Sequence, residues 1–415
     1  MRFVPPSTRG PFLLLPAALF ATIALAACGK TAPATSSSGG GPLRKLAAVE
    51  AQGAVSVVTR NTTRVGGQSA IVDAAAVARV SYPGLTAATR PQAVVLVDQR
   101  RWPAALAAAS LAAAPLGAPL LYAEGNTLPQ VSLEALQAMH PTGSAALSGA
   151  QVIEVGTRAP LPAGYAAQAV AADEGPAVGA DVARLLTQAE GSRPRQAIVL
   201  GTEGARALQM PAPGLAAESG APLLFSSDAS LPAATEAELK ALHRPAIYVM
   251  NGAALGKTVL GALAKLGSVT QIPQAPAGQA PTAAEAAIET ARYTDGTFGW
   301  GVKEPGHGLV FANAQRPFDA PAAALLSATG QYGPLLTLET PNALPAALSS
   351  YLGDLQPAYS AAPEFRPVRG VYNHGWLIGD ERAISLATQA EIDALLEISP
   401  RKQGGAEEAS VLQGE

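Results

Sequence analysis

The sequence predicts an α/β protein of three tandem Rossmann-like βαβαβ repeats, each with a parallel sheet, packed in a pseudo-threefold arrangement. Three observations predict it: one segment pattern occurs three times at near-constant spacing, apolar runs of strand length recur in each copy, and Ala/Leu-rich stretches of helix length lie between them.

The repeat is read directly. Val97 to Leu121 is VDQRRWPAALAAASLAAAPLGAPLL, Gly201 to Leu224 is GTEGARALQMPAPGLAAESGAPLL, and Ala312 to Leu336 is ANAQRPFDAPAAALLSATGQYGPLL. The prolines that fix the register, Pro119, Pro222 and Pro334, lie 103 and 112 residues apart. A Leu-Pro pair follows each time, ending at Pro129, Pro232 and Pro345, which is 10, 10 and 11 residues on.

Each element follows in order. Ile71 to Val80 has the Ala-rich spacing of a helix. The runs Ala93 to Val97, Ala197 to Leu200 and Leu309 to Ala312 are β-branched and apolar, as strands buried on both faces require. An Ala/Leu segment such as Pro103 to Leu116 comes next, with proline in its first turn, where a missing N–H costs least. Gly-Ala-Pro-Leu-Leu then closes the helix and enters a second strand, because Gly suits the C-terminal cap and Pro cannot continue a helix. Leu-Pro opens a further helix, as at Ala233 to Leu242, and a third strand follows, as at Ala246 to Met250. Short connections between alternating strands and helices favour right-handed parallel crossovers with helices on both faces. The expected boundaries are 52–157, 158–272 and 283–398, with a Pro/Gln linker at 273–282. The first boundary is the least defined, because Gln151 to Gly156 runs straight on from the third block.

The N-terminus reads as an export signal over residues 1–27. Arg2 and Arg9 precede an apolar run, Phe12 to Leu25, too short to span a membrane, and it ends in Leu25-Ala26-Ala27-Cys28. Small residues before the single cysteine match the bacterial lipobox, so Cys28 is the expected lipidation site, anchoring an extracytoplasmic protein to the membrane. A Ser/Gly/Pro-rich stretch, 28–42, reads as a tether, and the polar tail at 399–415 as disordered. With one cysteine no internal disulfide is available. The composition, 48% hydrophobic and 14% charged, is that of a compact fold. Losing Arg2 and Arg9 with the leader takes the net charge from −3 to −5, which argues against nucleic acid as a partner.

This ordered set resembles the cell-wall-binding repeat type 2 of bacterial surface proteins. The residues that carry the resemblance are Thr63-Arg64-Val65-Gly66-Gly67, Trp102-Pro103-Ala104-Ala105-Leu106-Ala107, Gly117 to Leu121 and Leu128-Pro129 in the first copy. In the third they are Pro317-Phe318-Asp319-Ala320-Pro321, Tyr332 to Leu336 and Leu344-Pro345. The resemblance implies three repeats packed about a threefold axis and held non-covalently to an anionic cell-wall polysaccharide through grooves between repeats. Three copies in one chain would close that arrangement internally, which predicts a monomer. The Pro-Leu-Leu segments would then approach the axis, or be ordinary buried strands. The chain departs from the family pattern in two places. The acidic residue after Phe-Pro survives only as Asp319, and the Arg-Val-Gly-Gly opening has no clear counterpart in copies two and three. Recognition through those positions would here involve a different polymer or fewer sites.

Candidate ligand residues are Arg64, Arg100, Arg101 and Trp102, near two expected loop entrances. Guanidinium groups grip phosphate or carboxylate bidentately and an indole face stacks on sugar, the other reading being solvated arginines and a core Trp. Asp319 joins them from the family pattern. Asp380 follows a strand at Trp376 to Ile378, on the edge where open parallel sheets bear ligands, the other reading being the N-terminal cap of a helix. Asn251 to Thr258 imitates a phosphate-binding loop except for its first residue, and coincides with the repeat's strand-to-helix turn. His140, His243, His307 and His374 share no ligand spacing, so no metal is expected. No Gly-x-Ser-x-Gly or His-Glu-x-x-His pattern is present, and no cofactor or catalytic residue is expected. The expected function is a non-enzymatic envelope lipoprotein binding an anionic wall polymer. The rival class is a solute-binding lipoprotein of a transport system, which would show two lobes rather than three repeats.

Overall fold

The computed structural model describes residues 55–173, 175–250, 255–275, 279–328, 333–359 and 372–400. The leader, Cys28, the tether, residues 401–415 and the first half of the phosphate-loop-like stretch, 251–254, lie outside the described residues.

Strands and helices alternate over most of the chain. The first stretch contains β1 (Val55–Val58), β2 (Thr62–Gly66), α1 (Ala70–Ser81), β3 (Val94–Asp98), α2 (Trp102–Ala109), β4 (Leu120–Ala123), α3 (Gln130–Met139) and β5 (Val152–Val155). The second runs β6 (Ala167–Ala169), α4 (Gly175–Glu190), β7 (Gln196–Gly201), α5 (Arg206–Gln209), α6 (Pro211–Ser219), β8 (Leu223–Ser226), α7 (Ala233–Ala241) and β9 (Ala246–Met250). The third runs α8 (Lys257–Leu266), β10 (Ser268–Gln271), α9 (Ala283–Arg292), β11 (Gly308–Asn313), α10 (Asp319–Ala328), β12 (Leu335–Leu338), α11 (Ala346–Asp354), β13 (Ala358–Tyr359), β14 (His374–Ile378), α12 (Leu386–Leu396) and β15 (Ser399–Pro400).

Among the described residues the strands form three principal sheets with one recurring order: β4-β3-β5-β6, β8-β7-β9-β10 and β12-β11-β14-β2, the last extended by β1. All pairings in them are parallel except β1 with β2. The sequence pattern accounts for the first three positions of each sheet, and the fourth is additional. β6 completes the first sheet, β10 the second, and β2, from the other end of the fold, the third. The helix after each fourth strand then crosses to the next sheet and packs on its Pro-Leu-Leu edge strand: α1 on β4, α4 on β8 and α9 on β12. The sheets are thereby linked in cyclic order. Ser399–Pro400 pair with Ala358–Tyr359, so regular pairing reaches two residues into the expected tail.

The packing follows from the composition. Strands β3 and β11 are buried at every position, as expected of parallel strands covered on both faces. Helices α2, α6 and α10 are Ala-rich, buried nearly all round, and pack pairwise against one another. Small residues let them approach closely: a Cβ on Gly214 of α6 would lie 2.7 Å from Ser327 Oγ of α10. Third-block helices are tied to the preceding strand in two of three cases by a hydroxyl. Ser132 Oγ donates to Tyr122 O at 2.7 Å and Thr235 Oγ1 to Phe225 O at 2.6 Å, whereas Leu348 occupies that place in the third copy and is buried as core.

Candidate functional site

The C-terminal ends of the first and third sheets meet at the starts of α2 and α10, and all six residues singled out in the folded part lie along this strip. Trp102 opens α2 and Phe318 immediately precedes α10. Their rings meet edge to face with centroids 5.3 Å apart. Tyr122 Oη of β4 donates to Phe318 O at 2.7 Å, fixing the two sheets to each other. Trp102 is buried, and its indole N–H donates to Gln209 Oε1 of α5 at 2.6 Å, which brings the second copy to the same point.

On the third sheet the strip is built around Arg316. Its guanidinium is ion-paired with Asp73 of α1, lies 2.9 Å from Asp319 Oδ2 through Nε, and lies 3.8 Å from Asp380 Oδ1 through Nη1. Asp73 and Asp319 are both 0% exposed. Burial, and then the charge of Asp319, push the Asp73 carboxyl well above the ordinary range. Burial also raises Asp319 against the opposing pull of Arg316. One guanidinium between two buried carboxyls leaves a surplus negative charge, so this pair is poised to hold a proton. Asp380 behaves differently. Burial works against its charge, but side-chain and backbone hydrogen bonds from Arg382 outweigh it and hold its pKa below the usual value.

Arg64 lies on β2, 1% exposed, and is fully engaged. Its guanidinium donates to the carbonyls of Gly379 (3.1 Å), Asp380 (2.8 Å) and Ile384 (2.7 Å) and to Gln389 Oε1 (3.0 and 2.8 Å). It holds the turn after β14 in place, and burial lowers its pKa. The Gly-Gly that follows has a local reason. Gly66 has φ +124°, and a Cβ there would strike the Asp73 carboxyl and come within 2.8 Å of Gly379 N, while Gly67 N donates to Asp73 Oδ1 at 2.6 Å. Thr63-Arg64-Val65-Gly66-Gly67 is therefore a seam motif whose side chain and turn both face the C-terminal segment. Asp380 accepts from Arg382 N in the turn before α12, and the side-chain cap of that helix is Ser385.

On the first sheet, Asp98 at the end of β3 is 2% exposed at its side chain and gathers Arg100 (2.9 Å) and Arg101 (3.5 Å). The Arg100 head is exposed. Arg158, after β5, donates to the carbonyls of Thr157 and Val170 and lies 3.7 Å from Asp173.

Sequence reasoning missed Asp73, Arg316 and Arg206. Arg206 opens the short α5 with its exposed guanidinium 5.7 Å from the Trp102 ring centroid and 5.6 Å from that of Phe318. It has no carboxylate partner among the described residues. The available signal was positional: an arginine stands between the first strand and the following helix in every copy, as Arg100 and Arg101, Arg206 and Arg316. A cavity of about 360 Å³ opens beside the strip, lined by Val57, Arg64, Gln68, Asp380, Glu381 and Arg382. The surface thus presents exposed guanidiniums, several held by carboxylates, above the buried ring of Trp102 and the half-buried ring of Phe318. Such a surface can grip anionic groups bidentately and exchange hydrogen bonds with hydroxyls.

His307 and His374 meet through their backbones, His374 N donating to His307 O at 3.0 Å. His140 ends α3 in a left-handed conformation, and His374 Nε2 lies 3.0 Å from Thr63 Oγ1. No group of three potential metal ligands occurs among the described residues, and no described helix is long and apolar enough to cross a membrane.

No protein-family model matches the chain, and no curated protein matches it in sequence. The fold is similar to solved structures, among them two from one organism. Cwp6 from Clostridium difficile matches at TM-score 0.58 and 15% identity over 83% of this chain and 51% of its own. Cwp8 from Clostridium difficile matches at TM-score 0.59 and 17% identity over 85% of this chain and 55% of its own. The chain therefore spans about half the length of the structures it resembles.

Proposed function

We propose that this protein is a non-enzymatic component of the cell envelope, anchored by a lipid on Cys28, that holds an anionic wall polysaccharide on the strip between its first and third sheets. The observation that carries this reading is the shared fold with two cell-wall proteins, Cwp6 and Cwp8, over more than four-fifths of the chain. The exposed guanidiniums at the strip supply the chemistry. Arg206 and Arg100 are the ligand-facing cations, with Arg382 at the adjoining cavity, while Arg64, Arg101, Trp102, Asp319 and Asp380 hold the surface from beneath and beside it. Cyclic linkage of three sheets within one chain supports a monomer.

The test is co-sedimentation of a Cys28→Ser chain starting at residue 28 with purified cell walls, before and after mild acid removal of anionic polymers. Binding that disappears on stripping supports the reading. Absence of binding to intact wall, or binding unchanged by stripping, refutes the anionic polymer as ligand.

A further inference from the structure

At the opposite end of the second sheet, where β7 begins, a cavity of about 230 Å³ is lined by Glu190, Ser192, Arg193, Arg195, Ser219 and Gly220, among others. Two helices end on it: α4 at Glu190, and α6 at Ser219 with Gly220 as its left-handed cap. Glu190 Oε1 faces Gly220, where a Cβ would lie 3.4 Å from it, so the two helix ends and the carboxyl share one wall. Helix C-termini concentrate partial negative charge on unpaired carbonyls, and a carboxylate among them is unfavourable without a cation.

Cations are nearby, and neither is paired with a carboxylate among the described residues. Glu190 makes no hydrogen bond or ion pair among the described residues, although two arginines line the same cavity, and unrelieved burial pushes its carboxyl up to about 7. Arg193 Nη1 lies 3.2 Å from His243 Nδ1, and the exposed guanidinium of Arg195 has no partner among the described residues. His243 and Arg244 adopt φ of 59° and 63°, consecutive left-handed conformations that such residues seldom accept.

A wall lacking a cation thus faces a rim lacking an anion. We propose that this cavity binds a zwitterionic α-amino-acid group, its ammonium on Glu190 and the two helix ends and its carboxylate on Arg195 and Arg193. A free amino acid and the unblocked α-amino-acid end of a longer side chain share this chemistry. The site is independent of the polymer surface.

The test is calorimetric or ligand-observed NMR titration of the full chain with alanine and with Nε-acetyl-lysine, using ethylamine and acetate as half-ligands. The expected result is saturable binding of alanine at least about tenfold tighter than either half-ligand, abolished by Glu190→Gln and weakened about tenfold by Arg195→Gln. Binding of Nε-acetyl-lysine as well identifies a site open to a tethered amino-acid end, and binding of alanine alone identifies a site for the free molecule. No saturable binding of either amino acid overturns the proposal, as does unchanged affinity in Glu190→Gln. Should that variant fail to fold, Arg195→Gln, altered at an exposed side chain, decides in the same way.

Discussion

The indole of Trp102 donates to Gln209 Oε1 at 2.6 Å, and Gln209 Nε2 donates to Gly201 O at the same distance, so the first residue of α2 is wired to the end of a strand in the next sheet. Trp102→Phe keeps an aromatic ring against Phe318 but leaves a buried amide oxygen without its donor. Destabilisation of about 1–3 kcal/mol is expected by denaturant titration. A loss below that range would show that water reaches Gln209 in the folded protein.

Arg64 and Arg206 separate structural from ligand-facing arginines. Arg64→Ala orphans three carbonyls and Gln389 at the seam and should cost more than about 3 kcal/mol. Arg206→Ala removes only an exposed guanidinium over two rings. It should change stability by less than about 1 kcal/mol while lowering wall-polymer binding severalfold. The reverse pattern in melting and co-sedimentation would overturn the assignment of the strip.

Gly66→Ala drives a methyl into the Asp73 carboxyl at a backbone angle that L-residues avoid. The expected cost is about 2–4 kcal/mol from overpacking and backbone strain together. Gly353→Ala, in open space on α11, is the control and should be neutral or slightly stabilising.

The Asp73 and Asp319 carboxyls are both raised on folding, so the folded state keeps protons that the unfolded chain releases near pH 4. Their contribution is fully present below that pH and is lost as pH rises through the raised folded values. Asp319→Asn removes one carboxylate and relieves the other. Relative to wild type it should gain on the order of 2 kcal/mol in denaturant midpoint experiments between pH 4 and pH 7. A difference that stays flat across this range would mean the pair is ionised throughout.

Most of the helix and strand pattern was legible because burial on both faces makes the central runs of β3, β7 and β11, Val94 to Val97, Ala197 to Leu200 and Leu309 to Ala312, apolar without interruption. The fourth strands were not. β6 and β10 are short, polar and largely exposed, and β2 is buried but carries Thr and Arg, so none has an apolar run to announce it. Arg64 read as a ligand-facing cation because its acceptors are backbone carbonyls more than 300 residues away, which leave no trace in composition. Asp319 was picked out, but its partner Asp73 was not, because the Arg316 that joins them lies 243 residues from Asp73 and no local pattern links the two.

A sheet that takes its last strand from the opposite end of the fold cannot be finished piecemeal. Arg64 and Gly379, bonded in the folded protein, are 315 residues apart in the chain, so closure must bridge nearly the whole fold. An open solenoid tolerates gain or loss of a unit by exposing a new end. Here deletion of the third unit would strand β2 without β14 and leave a guanidinium buried beside nothing. The join of β2 to β14 therefore ties the first unit to the last, and loss of the last unit should cost the whole fold rather than shorten it.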